Sequence, residues 1–292
     1  MEFQARFPDE AACRSYLAAS RWPEGFVCRR CGSHEAFELP RRNLWQCKSC
    51  GCQSSVTSGT VLHRSHKSLR EWFWAAYLIS THTPGISALQ LKRQLGLRRY
   101  ETAWTMLQKL RRGMRRPDRE ALRDRVEVDE TYLGNQEGLR GGRQLGIRAL
   151  IVGAVEIRGK ASGRIRLQVV PNASADSLTG FVKANVQANS IVVTDAWQGY
   201  ASLARMGYRH RPKVQGEPER AGIILPRIHR VFGNLKTWLR GTHHGVEKKH
   251  LQPYLDEFVF RFNRRRTPMA GFQSLLGLSA VLRPTTRLAL YE

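Results

Sequence analysis

The order of predicted strands and helices after residue 119 restricts the possible folds more than any other feature of this sequence. Three stretches rich in apolar residues, RVEVDETYLG, IRALIVGAVEIRG and GRIRLQVVPNA, predict three consecutive strands. A predicted helix, SADSLTGFVKANV, precedes a short buried strand, IVVTD, and a further helix, AWQGYASLARM. The predicted order is β-β-β-α-β-α, which indicates an α/β domain.

Two of these strands carry a carboxylate within a run rich in apolar residues, where burial of an unpaired charge would be unfavourable. Asp195 ends the apolar run IVVTD, and the period of two places Asp129 on one face of the first strand with Glu127 and Thr131. Either a helix cap or a ligand at the sheet edge would explain Asp195 alone. If the first and fourth strands are neighbours, about 4.8 Å apart, the two aspartates can share a divalent cation.

Four of the six cysteines have the spacing of a zinc ribbon. Cys28 and Cys31 form one CxxC turn, Cys47 and Cys50 form a second, and the residues between the turns suit a hairpin. Two such turns present four thiolates to one tetrahedral zinc ion. Cys52 and Cys13 are left out of the site, since Cys13 lies on a predicted helix. The sequence therefore predicts a structural Zn²⁺ site.

The charge of the chain indicates a polyanionic partner. The 48 Lys and Arg residues exceed the 24 Asp and Glu residues, which gives a formal net charge of +24. A positive field of this size is typical of proteins that bind nucleic acid. No apolar run reaches the length of a membrane span, and the amino terminus lacks the pattern of a signal peptide. We expect an intracellular protein without a membrane partner.

A helix-turn-helix is predicted between the zinc ribbon and the α/β domain. Ser87 can cap a short helix that Gly96 ends, and a longer helix follows from Leu97 to Arg116. This second helix is the candidate reader of the DNA major groove because it is strongly basic, with Glu101 as its one acid. Its predicted DNA contacts are Arg98, Arg99, Lys109, Arg111, Arg112 and Arg115.

Together these features resemble the DDE-type transposases of bacterial insertion sequences, in the branch with an N-terminal zinc ribbon and an ISXO2-like transposase domain. The resemblance rests on the two CxxC pairs and on VDETYLG, VVTDAWQGY and HRVFGNLKTWLRGTHHGVEKKHLQPYLDEFVFRFNRR. It implies a ribonuclease-H-like core, a mixed sheet with flanking helices, in which Asp129 and Asp195 hold two Mg²⁺ or Mn²⁺ ions. It also implies DNA cleavage and strand transfer.

The resemblance further implies several partners and a location. The DNA partners are double-stranded, namely the terminal inverted repeats of the element and the target DNA. A homodimer or higher oligomer is expected, because two element ends must be held together. The location implied is the bacterial cytoplasm, at the nucleoid.

The third catalytic ligand departs from the usual pattern, in which a helix bears a glutamate and a basic residue seven positions later. Lys236 resembles the basic residue, and His229 stands seven positions before it, nearly in line on a helix. Asn234 is the rival, because some members of this branch have asparagine as third ligand. It lies about 140° round the helix from His229, so a regular helix cannot direct both toward one site. Geometry favours His229 and resemblance favours Asn234.

The predicted domains are a zinc ribbon over residues 1–62, a helix-turn-helix over 63–118 and a ribonuclease-H-like catalytic domain over 119–292. Two other functions fit the same features. One is a DNA-binding protein without catalysis, either a regulator or a domesticated transposase, and the missing glutamate favours it. The other is a ribonuclease or junction resolvase, which would not need both DNA-binding modules. Because both aspartates and Lys236 are present, the sequence favours an active transposase.

Overall fold

A computed structural model describes residues 2–115, 118–134, 149–214, 224–286 and 288–291. The chain forms two compact units, one of residues 1–116 and 266–292 and one of residues 117–265. Residues 266–292 therefore belong with the first unit, although the predicted catalytic domain included them. The boundary predicted at residue 62 stays a prediction. Among the described helices, none is long and apolar enough to cross a membrane.

The first unit begins with two helices and a small antiparallel sheet of three strands in the order β1-β2-β3. The hairpin between β1 and β2 is the one predicted between the two cysteine pairs. Cys28 and Cys31 precede β1, while Cys47 is the last residue of β2. The elements are α1 (Glu2–Arg6), α2 (Glu10–Arg21), β1 (Ala36–Leu39), β2 (Leu44–Cys47) and β3 (Gln53–Ser54).

Helices make up the rest of this unit. Ser87 caps α4 by accepting a hydrogen bond from the backbone N–H of Gln90, and Gly96 follows with a φ of 61°, both as predicted. The last long helix, α9, is apolar on almost every side, so it is buried among α2, α3 and α5. The elements are α3 (Leu69–Thr81), α4 (Ala88–Gln94), α5 (Tyr100–Gly113), α9 (Pro268–Val281) and α10 (Leu288–Tyr291).

The second unit is built on a mixed sheet of five strands in the order β6-β5-β4-β7-β8. The pairs β4–β5 and β5–β6 are antiparallel, whereas β4–β7 and β7–β8 are parallel. The first and fourth strands of this unit are therefore neighbours at the centre of the sheet. The strands are β4 (Arg125–Leu133), β5 (Ala149–Arg158), β6 (Ala161–Val170), β7 (Ile191–Asp195) and β8 (Arg209–Lys213).

Strand β8 corrects the sequence prediction, which assigned residues 209–226 to a loop. Arg209–Lys213 forms an edge strand, mostly exposed and rich in basic residues, so it lacks the apolar alternation that marks a buried strand. Residues 215–223 of the predicted loop lie outside the described residues. The described α-helices of this unit are α6 (Ala175–Asn185), α7 (Pro226–Trp238) and α8 (Leu251–Asn263), and short 3₁₀ or π turns cover Gln198–Ala204, Leu239–His243 and Lys248–His250.

Helices cover both faces of the sheet. One core contains Val126 and Val128 of β4 together with the apolar face of α6. The opposite core contains Ile151 of β5 with residues of α7 and α8. A mixed sheet in this order with helices on both faces is the predicted ribonuclease-H-like core. The alternation along β4 turns Glu127 and Asp129 toward the α7 side.

Gly153 allows α7 to lie close to the sheet at this point. It pairs with Asp129 across the β4–β5 ladder. A Cβ atom at position 153 would meet Phe232 at 2.7 Å and Ile228 at 2.9 Å, both on α7. A glycine is therefore required where the helix crosses the strand beside Asp129.

Candidate functional site

The four predicted zinc ligands lie together at the hairpin of the small sheet. The sulfur atoms of Cys28, Cys31, Cys47 and Cys50 all lie within 4.8 Å of one another. Two pairs, Cys28–Cys50 and Cys31–Cys47, are 3.6 Å apart. Sulfur atoms about 2.3 Å from one tetrahedral ion would have nearly this separation, so the donor set fits Zn²⁺.

A second cluster of possible metal ligands lies where β4 and β7 run side by side. The carboxylates of Asp129, Glu130 and Asp195 offer oxygen atoms within 4.8 Å of one another. Parallel pairing aligns Glu127 with Val193, so Asp129 lies level with Asp195 two residues further along. Three carboxylates this close repel one another, and an oxygen-ligated divalent cation would relieve that repulsion.

Glu130 joins this cluster from the opposite face of β4. The period of two along β4 places Glu130 on the face opposite Asp129. Its carboxylate accepts a 2.6 Å hydrogen bond from the hydroxyl of Tyr200, which is fully buried in the 3₁₀ helix after β7. Burial raises the pKa of Glu130, as does the charge of Asp195. Tyr200 thus ties the motif after Asp195 to the strand that carries Asp129.

Asp129 is the most strongly perturbed acid of the cluster. Burial, with smaller contributions from Glu130, Asp195 and Glu127, raises the pKa of Asp129 to about 7, although its Oδ1 accepts a 2.9 Å hydrogen bond from the backbone N–H of Glu130. Its side chain is 11% exposed. Without a cation, the fold therefore favours the protonated acid at this position.

This raised pKa predicts a pH-dependent stability that a divalent ion removes. The folded state keeps a proton that the unfolded state releases above its ordinary pKa of 3.8. Stability from Asp129 is therefore present below about pH 4 and lost as pH rises to about 7. Denaturation experiments at a series of pH values, without added divalent ions, measure the free energy of unfolding of the wild type and of Asp129→Asn. The difference between the two should fall as pH rises from about 4 to about 7. Mn²⁺ should restore stability above pH 7 in the wild type, and a flat difference would contradict the assignment.

Helix α7 brings His229 to the carboxylates. The Nε2 atom of His229 lies 3.4 Å from Oδ2 of Asp129. Burial lowers the pKa of His229, which keeps the imidazole neutral and able to bind a metal near neutral pH. The nearby charge of Lys236 lowers the pKa further, and Lys236 is itself half-buried. The side chain of Asn234 is exposed and forms no hydrogen bond with any described residue.

Glu127 fixes α7 to the strand that carries Asp129. Its carboxylate is buried and accepts hydrogen bonds from the backbone N–H groups of Arg227 and Ile228, at 2.9 and 3.0 Å. It also contacts the guanidinium of Arg227 at 3.2 Å. These N–H groups lie in the first turn of α7, where no helical carbonyl can satisfy them. Glu127 is thus a cap supplied from 100 residues away.

We expect Glu127→Gln to lower the free energy of unfolding by about 3 kcal/mol, because it removes a buried charge and turns an amide N–H toward backbone donors. The matched control is Glu120→Gln, whose carboxylate is 81% exposed although it also contacts an arginine. That change should cost less than about 1 kcal/mol. Urea denaturation measures both, and equal effects would contradict the capping role.

The predicted DNA contacts on α5 and on the residues that flank it differ in exposure. Arg98, Arg99, Arg112 and Arg115 are exposed, and Lys109 is half-buried. Arg111 is a correction, since it is 1% exposed and its guanidinium lies inside the unit, where it cannot meet DNA. Helices α4 and α5 pack together across a short turn. That they bind DNA as a helix-turn-helix stays a prediction.

Each of the two clusters lies within a part of the chain that matches a family model. Residues 121–263 match the family model described as the ISXO2-like transposase domain, and residues 8–53 match the transposase zinc-ribbon domain. The two matched ranges together make up well over half of the chain. The chain contains an ISXO2-like transposase domain preceded by a transposase zinc-ribbon domain. Its transposase domain ends at α8, so α9 and α10 lie beyond the matched range.

A relative of this ISXO2-like chain is an uncharacterized protein in the transposable element ISH50 of Halobacterium salinarum. The two are 26% identical over 285 residues, which is 90% of this chain and 94% of the relative. Two solved structures are more distant. An intasome of simian T-cell lymphotropic virus, in complex with the PP2A regulatory subunit B56 gamma, is 14% identical, with a TM-score of 0.31 over 62% of this chain and 66% of that one. The Mos1 strand transfer complex is 12% identical, with a TM-score of 0.25 over 71% and 78%.

Proposed function

We propose that this chain is an active transposase that binds double-stranded DNA at the ends of its insertion sequence, cuts it and joins it to target DNA. The observation that carries the proposal is the pair of aspartates on adjacent parallel strands, Asp129 and Asp195, with a third carboxylate beside them. Three carboxylates this close repel one another and therefore destabilise the folded state. A bound cation explains their arrangement better than a structural role does.

We assign Asp129 and Asp195 as the ligands of Mg²⁺ or Mn²⁺, and Glu130 as an acid that adjusts their charge and orientation. A divalent ion there would activate the attacking water or 3′-hydroxyl and stabilise the departing oxygen. The fold of the protein holds the metal-binding side chains in place. β4 and β7 hold the aspartates level, Tyr200 orients Glu130, and Glu127 fixes α7 beside them. DNA needs only to place its phosphodiester in line.

We assign His229 as the third ligand and Lys236 as a contact to DNA phosphate near it. The 3.4 Å separation from Asp129 supports His229, whereas Asn234 is exposed and about 140° round α7. His229→Ala should lower the rate of cleavage about 100-fold, equivalent to about 3 kcal/mol of transition-state stabilisation. Asn234→Ala should stay within about threefold of wild type, because ordinary surface changes are mild. The reverse order of effects would make Asn234 the ligand.

Labelled duplexes carrying the element's own ends test the proposed activity. Wild type with added Mg²⁺ or Mn²⁺ should cut at the element boundary and join the ends to a second duplex, whereas the reaction without added divalent ions should be inactive. Salt-sensitive binding without cleavage under either ion would favour a domesticated DNA-binding protein instead. Synapsis of two ends by a homodimer or higher oligomer is part of the proposal. Sedimentation of the complex with two end duplexes tests it.

A further inference from the structure

The first unit contains a cavity of about 1060 Å³ that has no part in the proposed chemistry. Its wall is formed by residues 63–67, by one face of α5 and by residues 284–286. Trp72 and Met106 contribute apolar surface. The basic side chains on this wall are His63, Arg64, His66, Lys67, Arg99 and Lys109, and among the described lining residues Glu101 is the one acid.

Three of these cations have no acidic partner in the described part of the chain. Lys67 is paired, since its ammonium lies 3.0 Å from the carboxylate of Glu71. Arg64, Arg99 and Lys109 form no ion pair with any described residue. Burial lowers the pKa of Lys109, and no carboxylate offsets the cost of its charge. A half-buried ammonium of this kind gains from an anion that enters the cavity.

The charged groups near His63 indicate that the electrostatic potential along the same wall is positive. Its Nδ1 accepts a 3.2 Å hydrogen bond from the backbone N–H of Gly59, so the neutral ring carries its proton on Nε2. Burial lowers the pKa of His63, and every charge that shifts it further is a cation, namely Arg64, Arg29, Lys109 and Arg21. The wall is therefore an electropositive surface with hydrogen-bond donors, as a phosphate requires.

Arg64 is held in a conformation that arginine rarely adopts. Its φ is 52°, in the left-handed region, where a side chain with a Cβ atom is strained. The chain thus keeps an unfavourable backbone at a position that adds an unpaired guanidinium to the cavity wall. Strain of this kind is concentrated at functional sites.

We propose that this cavity holds a phosphodiester segment of double-stranded DNA, with Arg64, Arg99 and Lys109 as the phosphate contacts. The inference rests on the proposed function, which supplies DNA as the partner. It adds Arg64, from the segment before α3, to the residues predicted on α5. Because these three cations are unpaired, DNA can bind them without breaking an existing ion pair. Contacts to phosphate position a protein on DNA and carry no sequence information.

Fluorescence anisotropy over a range of salt concentrations tests the site. The variants are Lys109→Gln, Arg99→Gln and Arg64→Asn, the last chosen because asparagine tolerates a positive φ. Each should bind the element-end duplex and an unrelated duplex several-fold more weakly, by the same factor for both. Each should also reduce the slope of log Kd against log salt by about 0.9, the value of one phosphate contact. The triple variant should reduce it by about 2.7.

The matched control is Lys183→Gln, which removes one charge from an exposed position on α6 and should leave affinity and slope unchanged. Unaltered melting temperature and zinc content will establish that each variant is folded. If the variants keep the slope of a wild type that binds DNA, the cavity proposal is overturned and the proposed function stands. A loss confined to the element-end duplex also overturns it, since that indicates base reading. If wild type binds neither duplex, the proposed function itself fails.

Discussion

Asp195→Asn should abolish DNA cleavage and strand transfer, lowering the rate at least about 1000-fold, while the protein still binds DNA. Asparagine keeps the size of the side chain but removes the negative charge that holds a divalent ion, and about 4 kcal/mol of transition-state stabilisation corresponds to this factor. Asp195 lies at the end of β7, within 4.8 Å of the other acids. Affinity for DNA should not fall, because the change removes a charge that repels phosphate.

The matched control is Asp176→Asn, the same chemical change at an exposed position in the first turn of α6. Its cleavage rate should stay within about twofold of wild type. Gel analysis of labelled element ends, over time courses with Mg²⁺ and with Mn²⁺, measures both variants. An Asp195→Asn protein that retains a tenth of wild-type activity would contradict the assignment of Asp195 as a metal ligand.

Cys47→Ser should prevent folding of the zinc ribbon. Binding of structural zinc contributes about 10–16 kcal/mol in small zinc modules, and one lost thiolate removes much of that free energy. The ribbon has little else to stabilise it, since its core consists of Phe26, Cys28 and Cys47, with a few partly buried neighbours. We expect zinc content to fall from about one ion per chain to nearly none. Proteolysis should then become rapid between residues 22 and 54.

Cys52→Ser is the control for the zinc site. Cys52 follows Cys50 by two residues but is not one of the four clustered sulfur ligands. Native mass spectrometry should find a full complement of zinc in this variant. Full zinc in Cys47→Ser, or its loss in Cys52→Ser, would show that the ligand set is wrong.

Those features of the fold that depend on local patterns could be predicted from the sequence. Alternation of apolar residues identified β4, and its period of two correctly placed Asp129 and Glu127 on one face. The resemblance to a ribonuclease-H-like core implied that β4 and β7 would be adjacent, and their parallel pairing brings Asp129 and Asp195 together. Thiolate spacing identified the zinc cluster, because two CxxC turns impose nearly the same geometry in any context.

Features that depend on distant contacts could not be predicted in this way. Nothing near Glu127 in the sequence indicates that it caps a helix 100 residues later. Arg111 looks like its exposed basic neighbours, and only the packing of α5 shows that it is buried. The edge strand β8 has no apolar face to mark it, and the apolar helix α9 gives no sign of which unit it joins. Each outcome is decided by tertiary packing.

Anomalous X-ray diffraction at the manganese edge, on crystals of the protein with element-end DNA and Mn²⁺, tests the central claim most directly. The account predicts anomalous density within about 2.2 Å of carboxylate oxygens of both Asp129 and Asp195, at full occupancy in wild type and absent in Asp195→Asn. Manganese bound elsewhere on a protein that cuts its own element ends, with none between these two aspartates, would contradict it.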